Sequence, residues 1–255
     1  MFDDPCEAAA RLLVAARLAR RPGPRLPESC RPRDLDAALA IQQRVSDLLA
    51  HPIGGWKCAL PTLGKIIVAP VYAPSICTTP HCPEFMNSHV RVEPEIAFVF
   101  RHGLPSRDKP YGEAEVRSAI GETCLALEIL GCRYEEPQQV SFVELLADGL
   151  FNQGLVLGPR VPDGVARHLE TMTLSVEAPD SAPSNYAGRH PDGHPLAPVC
   201  WLANFLSSRG KELSAGQVVI SGSYAGVLEL PVATPLRIRF GELGTLNVQF
   251  TSAEK

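Results

Sequence analysis

After His51 the chain changes character: glycine or proline recurs every several residues, and the runs between them are short and rich in valine, isoleucine and phenylalanine. Runs of that length and composition predict strands, because β-branched and aromatic side chains suit a pleated surface. Strands are expected at residues 65–72, 91–100, 124–130, 154–158, 171–178, 217–223, 235–240 and 245–250. Ahead of them, residues 5–20 and 34–50 are alanine- and leucine-rich with helical spacing. Asp34 is a natural N-cap for the second helix, and Leu35, Ala38, Leu39, Val45, Leu48 and Leu49 would form its apolar face. The segment between them, residues 21–33, carries four prolines and is a connection. Further helices are expected at 111–120 and 197–210, and residues 181–194 read as a polar loop. The organisation is a helical N-terminal region over 1–54 followed by a larger, strand-dominated catalytic unit over 55–255.

Composition removes several classes of function. With 24 basic and 28 acidic residues and a net charge of −4, there is no cationic stripe to neutralise a phosphate backbone, so nucleic acid is not an expected partner. No uninterrupted apolar run approaches the ~18 residues of a membrane span, and the start carries Asp3 and Asp4 where a targeting segment would be basic. The expectation is a cytoplasmic protein. The eight cysteines (6, 30, 58, 77, 82, 124, 132 and 200) form no C-x-x-C pair and are expected to pack as reduced, small hydrophobes.

The acids carry the chemistry. In RVEPEIAFVF, Glu93 and Glu95 are two residues apart, so on a strand both project from one face with Arg91 and Ala97, while Val92, Ile96 and Phe98 take the other. Two like charges on an apolar strand repel and lose hydration unless a cation lies between them. Glu128 is the only charged residue of CLALEIL, and burying one carboxylate alone is costly. Three carboxylates on two strands would suit a hard divalent ion such as magnesium or manganese. The competing reading puts Glu93 and Glu95 on a solvent-facing edge beside Arg91, with Glu128 in a structural ion pair.

These residues resemble the metal-binding core of the fumarylacetoacetate hydrolase superfamily, and more closely its branch of 2-keto-4-pentenoate hydratases and 4-oxalocrotonate decarboxylases. GWKCALPT (55–62) is similar to that branch's glycine-x-lysine-x-glycine-leucine segment. ADGLFNQGLVLG (147–158) is similar to its aspartate–asparagine loop, and GHPLAPVCWLANFL (193–206) with LSAGQVVISGS (213–223) to its closing helix, strand and turn. The resemblance implies an α+β fold built on a curled mixed β-sheet, a β-roll or sandwich, with flanking helices, assembled as a homo-oligomer. It implies Mg2+ or Mn2+ held by Glu93, Glu95 and Glu128, with Lys57, Asp148 and Asn152 catalytic. Lys57 and Ser223 would bind the substrate, a small 2-oxo or 2-hydroxydienoic acid.

Two positions depart from the family pattern: Val71 stands where an aspartate is usual, and Ala225 where a hydroxyl residue often follows the GS turn. Both touch the acid/base equipment more than the metal ligands. Lys57, at the turn after the N-terminal helices, is expected to have its pKa lowered near a metal. Asn152 could donate to substrate or to a loop carbonyl, and Asp148 and Asn152 are also ordinary turn formers. SGSYAG (221–226) is not a nucleophile elbow, but its backbone amides could meet a carboxylate. His190 and His194 are expected in solvent, with a lid over the pocket as the alternative. The expected reaction is hydration of a 2-hydroxy-2,4-dienoate through its 2-oxo tautomer, in aromatic catabolism. The alternatives are a 4-oxalocrotonate-type decarboxylase, an acylpyruvate-type carbon–carbon hydrolase, which would want an H-x-x-x-E pair not found near the N-terminus, and a non-catalytic relative that binds 2-oxo acids.

Overall fold

Two capped helices begin the described chain. In the computed structural model, which describes residues 4–78, 81–85, 88–162, 169–179 and 181–252, helix α1 (Pro5–Leu18) starts at Asp4, whose side chain accepts the Cys6 amide at 2.9 Å. Helix α2 (Leu35–Leu49) starts at Asp34, which accepts the Ala37 amide at 2.8 Å, and ends at Ala50 in the left-handed region, φ 51°. Its buried face is Ala38, Ile41, Gln42, Val45 and Leu49, with Leu35, Leu39 and Leu48 only partly buried at the margin. The inward turn toward Gln42 was not expected, and its cause is hydrogen bonding: the Gln42 amide donates to the Val68 carbonyl at 3.1 Å and the Leu146 carbonyl at 2.8 Å.

The strands are β1 (Ile53–Thr62), β2 (Lys65–Tyr72), β3 (Ile76–Thr78), β4 (His81–Phe85), β5 (His89–Phe100), β6 (Ile120–Leu130), β7 (Asn152–Arg160), β8 (Thr171–Glu177), β9 (Ser184–Arg189), β10 (Val218–Ile220), β11 (Leu228–Pro231), β12 (Leu236–Phe240) and β13 (Gly244–Ser252). The remaining helices are α3 (Glu113–Ala119), α4 (Phe142–Asp148) and α5 (Leu196–Ser207). An eight-stranded curled sheet runs β2-β1-β10-β5-β6-β7-β3 with β11 on β5, and a five-stranded sheet runs β4-β13-β12-β8-β9. Among the described residues no helix is long and apolar enough to cross a membrane.

Three expectations need correction. Lys57 lies inside β1, not in a turn after the helices, because residues 53–62 pair with β2 on one side and β10 on the other. Residues 184–189, read as loop, form β9 along β8, so the polar side chains there serve a half-exposed edge strand. The expected strand at 217–223 shortens to β10, since the chain leaves the sheet at Ser221 to make the turn that serves the site.

Register determines what faces inward. Glu93 stands directly opposite Glu128, Glu95 opposite Ala126, Leu155 opposite Glu128, Lys57 opposite Ile220, and Ile220 opposite Ala97. Cross-strand partners share a face, so the charged residues lie on the same inner surface as a small apolar cluster of Val71, Ala97, Cys124, Ala126, Leu155, Val218 and Ile220. Small side chains let the sheet close: a Cβ on Gly55 would come within 2.2 Å of the Val218 carbonyl oxygen, so β1 and β10 can meet there only at glycine.

Helix α4 is tied to the N-terminal segment through Glu144. Its carboxylate closes a capping box with Ser141 and accepts from Arg25 at 2.9 and 2.6 Å. Burial alone would raise the Glu144 carboxyl, but the bonds from Arg25 and Ser141 outweigh it and bring the pKa down to about 2. The folded value lies below the unfolded one, so this contribution is present above about pH 4.3 and is lost as pH falls toward about 2. Glu144→Gln should cost about 2 kcal/mol at pH 7 and flatten the acid limb of a stability curve measured by denaturant melts.

Candidate metal centre and its lysine

The pleat brings Glu93 and Glu95 to one face of β5, and the β5–β6 register brings Glu128 against them, so one carboxylate oxygen from each lies within 4.8 Å of the other two. Glu95 and Glu128 are buried and Glu93 is half-buried. This excludes the solvent-edge arrangement that the sequence left open.

Each acid has its own support. Glu128, at 0 % exposure, is held by Lys57 Nζ at 2.8 Å and by Asn152 Nδ2 at 2.8 Å. Glu95 Oε2 accepts the backbone N–H of Gly222 at 2.6 Å. Burial raises Glu95 well above the usual carboxylate range and Glu128 adds to it, with the Gly222 amide and Lys57 opposing. Glu93 is raised by burial and by Glu128, against Lys57.

Lys57 also donates to the Leu150 carbonyl at 3.1 Å. Burial works against its charge, but Glu128, Glu93 and Glu95 together carry the pKa above the ordinary lysine value. This is the metal-free balance, in which three carboxylates surround one ammonium; the lowering expected from sequence concerns the site with a metal bound. Two negative charges are left over, which fits a hard divalent cation on an all-oxygen donor set.

The other expected residues divide. Asn152, the first residue of β7, donates to Glu128 instead of to a loop carbonyl. Asp148 is bound on both oxygens by Arg133, Nε at 2.6 Å and the backbone N–H at 3.1 Å, so its carboxylate is engaged in a buried ion pair. The Ser223 hydroxyl closes its own turn onto the Gly226 carbonyl at 2.8 Å in an exposed setting, while the preceding amide meets Glu95. His190 is buried at 1 % exposure, beside Ser221 at 3.4 Å and edge-on to the Tyr224 ring. Burial lowers its pKa and favours the neutral ring. A solvent position for it is therefore corrected. His194 accepts the Leu196 amide at 3.1 Å at the start of α5.

Sequence reasoning missed Arg133 and the Leu150 carbonyl; it offered the amides of residues 221–226 for a carboxylate, and the Gly222 amide meets that of Glu95. Residues 149–151 have φ of 90°, 52° and 67°, and Leu150 and Phe151 are not glycines. Left-handed backbone costs such residues about 1 kcal/mol or more each. Only the Asp-Gly of ADGLFN hinted at a bend here, and the backbone acceptor leaves no mark in side-chain identity.

No protein-family model matches the chain. A 2-keto-4-pentenoate hydratase from Paraburkholderia xenovorans (strain LB400) is 31% identical over 164 residues, 64% of this chain and 59% of that protein. The chain thus aligns with less than two thirds of that relative's length. A 2-keto-4-pentenoate hydratase from Paraburkholderia phymatum is 25% identical over 269 residues, 98% of both chains. The fold matches the 4-oxalocrotonate decarboxylase from Pseudomonas putida G7, solved with magnesium and adipate, with a TM-score of 0.80 at 19% identity over 98% of both chains. The chain is thus similar in sequence to 2-keto-4-pentenoate hydratases and 4-oxalocrotonate decarboxylases, and it shares the fold of the latter.

Proposed function

We propose that the protein is a divalent-metal-dependent hydro-lyase that adds water to a 2-hydroxy-2,4-dienoate, through its 2-oxo tautomer, in the breakdown of aromatic compounds. The observation that carries this reading is the buried meeting of Glu93, Glu95 and Glu128 with Lys57 on one face of the sheet. Relatives named as hydratases support the reaction, and the neighbour solved with magnesium supports the metal.

Magnesium or manganese held by the three glutamates would supply Lewis-acid stabilisation of negative charge on the substrate carboxylate and 2-oxygen. The Lys57 ammonium, kept charged by its acidic neighbours, is suited to opposing the same charge and to guiding proton delivery. Ketonisation puts a proton on C5 and leaves a conjugated 2-ketone. Water then adds its hydroxyl at C4 and its proton at C3. Asn152 acts on Glu128 instead of the substrate, and the amides of the turn around Ser223 offer donors to a carboxylate. Residues 55–255 carry these groups, and residues 1–54 buttress them.

One observation favours a second reaction. Val71, at 0 % exposure, lies in the apolar layer on the face that carries the acids and offers no acid or base there. Decarboxylation of 4-oxalocrotonate needs no activated water: the bond to the leaving carboxylate breaks, its electrons pass into the enolate, and CO2 departs.

The test is a panel of 2-hydroxypenta-2,4-dienoate, 4-oxalocrotonate and an acylpyruvate, assayed with EDTA and with added Mg2+ or Mn2+. The expected result is metal-dependent loss of the dienoate, inhibited by oxalate. Turnover of 4-oxalocrotonate alone would move the assignment to the decarboxylase, and binding of oxalate with no turnover to a non-catalytic role.

A further inference from the structure

The contacts that Lys57 and Glu128 receive from outside their own strands come from one short segment. The Leu150 carbonyl accepts from Lys57, and the Asn152 amide donates to Glu128. That segment runs through three successive left-handed residues, two of them bulky, a conformation that a free chain abandons. Something must hold it.

Arg133, 3 % exposed, is bonded around its base. Its Nε and backbone N–H donate to the Asp148 carboxylate at 2.6 and 3.1 Å, Nη2 donates to the Asp148 carbonyl at 3.2 Å, and Nη1 donates to Gln153 Oε1 at 2.8 Å. Asp148 and Gln153 flank the strained residues on either side. Next to Arg133, the Gly131 amide donates to the Phe151 carbonyl at 2.8 Å. From α1, Arg17 Nη2 reaches the carbonyls of Asp148 and Asn152, both at 3.4 Å. The two contacts Arg17 makes with this segment are long, its guanidinium also lying over the Tyr72 ring, and Arg133 makes four shorter ones, so the side-chain grip is chiefly Arg133.

We propose that Arg133 is a positioning residue: by clamping Asp148 and Gln153 it holds residues 149–151 in their strained path and so sets the orientation of Glu128 and Lys57. This rests on the metal-centre reading above. An arginine is suited to the task because its planar fork can bond a carboxylate, a carbonyl and an amide oxygen together, which a lysine cannot.

The test uses Mn2+ affinity measured by calorimetry on the full chain, with folding checked by thermal melts. R133Q is combined with D148N so that no buried charge is left alone. The double variant should stay folded and bind Mn2+ about 10-fold more weakly, as loss of a group that orients a ligand generally does. N152A should weaken it to a similar degree. Adding F151N, since asparagine tolerates the left-handed region, should restore part of the loss, because less strain then needs holding. A merely destabilised protein would show neither the affinity change nor the rescue. If R133Q/D148N does not fold, R133K carries the same test with a loss of about 3-fold. Unchanged Mn2+ affinity in the folded variant, or no recovery with F151N, overturns the inference. If the wild type binds Mn2+ with the expected variant pattern but turns over no dienoate, the reaction falls and the clamp stands. A wild type that binds no Mn2+ overturns both.

Discussion

Glu95→Gln is expected to lose metal-dependent turnover by about 10³-fold, or roughly 4 kcal/mol of transition-state stabilisation, and at the same time to make the metal-free protein more stable. Glu95 is buried against Glu128 with, among the described residues, the Gly222 amide as its direct donor, and these surroundings hold its carboxyl well above the usual range. The isosteric amide keeps the Gly222 bond and can donate to a neighbouring carboxylate where the native side chain repels it. The sign follows from the raised folded pKa: between the unfolded value of about 4.3 and the raised value, the native state holds a proton that the unfolded state has lost. Metal-free wild type should therefore lose stability as pH rises through that range, Glu95→Gln should show a shallower loss, and excess Mg2+ should remove the slope. Thermal melts in EDTA from pH 5 to 8 check this. A variant that retains turnover, or melts no higher than wild type in EDTA at pH 8, would count against a charged triad.

Lys57→Met is expected to reduce turnover by about 10³-fold while Mn2+ still binds, since a positioned proton-transfer or charge-stabilising group commonly contributes that much. Its effect on the metal-free protein should be opposite to that of Glu95→Gln. Lys57 is the cation bonded to the fully buried Glu128, and removing one partner of such a pair leaves an uncompensated charge worth about 3 kcal/mol. The melting temperature in EDTA should fall, and saturating Mg2+ should recover most of it, because the same carboxylate gains another cation. Full activity in the variant would remove Lys57 from the reaction.

The sequence was most legible where side-chain identity and the period of two carried the argument. Glu93 and Glu95 could be put on one face of a strand from RVEPEIAFVF alone, and β5 and β6 hold that pattern along their paired length. The curled sheet and the likeness to the hydratases and decarboxylases were legible through ordered short segments. Lys57 was named through its resemblance segment, but its strand was hidden because GGWKCALP has glycines and a proline where a strand pattern breaks; Gly55 is there for the close approach of β10 and Gly54 for that of Ala73 and Ile76. The ion pair of Asp148 was not legible, because its partner, Arg133, lies fifteen positions away in a loop with no pattern of its own. The amides of the 221–226 turn were marked by its glycines and short polar residues, but the Leu150 carbonyl could not be found at all, since every residue has such a group and only the backbone path decides which one points at Lys57.

The N-terminal segment has a consequence for how relatives of this chain could be recombined. Arg17 reaches the carbonyls of Asp148 and Asn152, and Arg25 neutralises the buried Glu144. Both come from before the first strand, and both act on the stretch that delivers Asn152 to the acids. A chimera that joins one homologue's first 54 residues to another's strands would inherit mismatched partners at 142–152, even with every glutamate and the lysine in place. Crossovers are better made at the exposed β1–β2 hairpin tip only if 142–152 travels with the amino-terminal parent, so the two distant pieces must be exchanged as one inheritance unit.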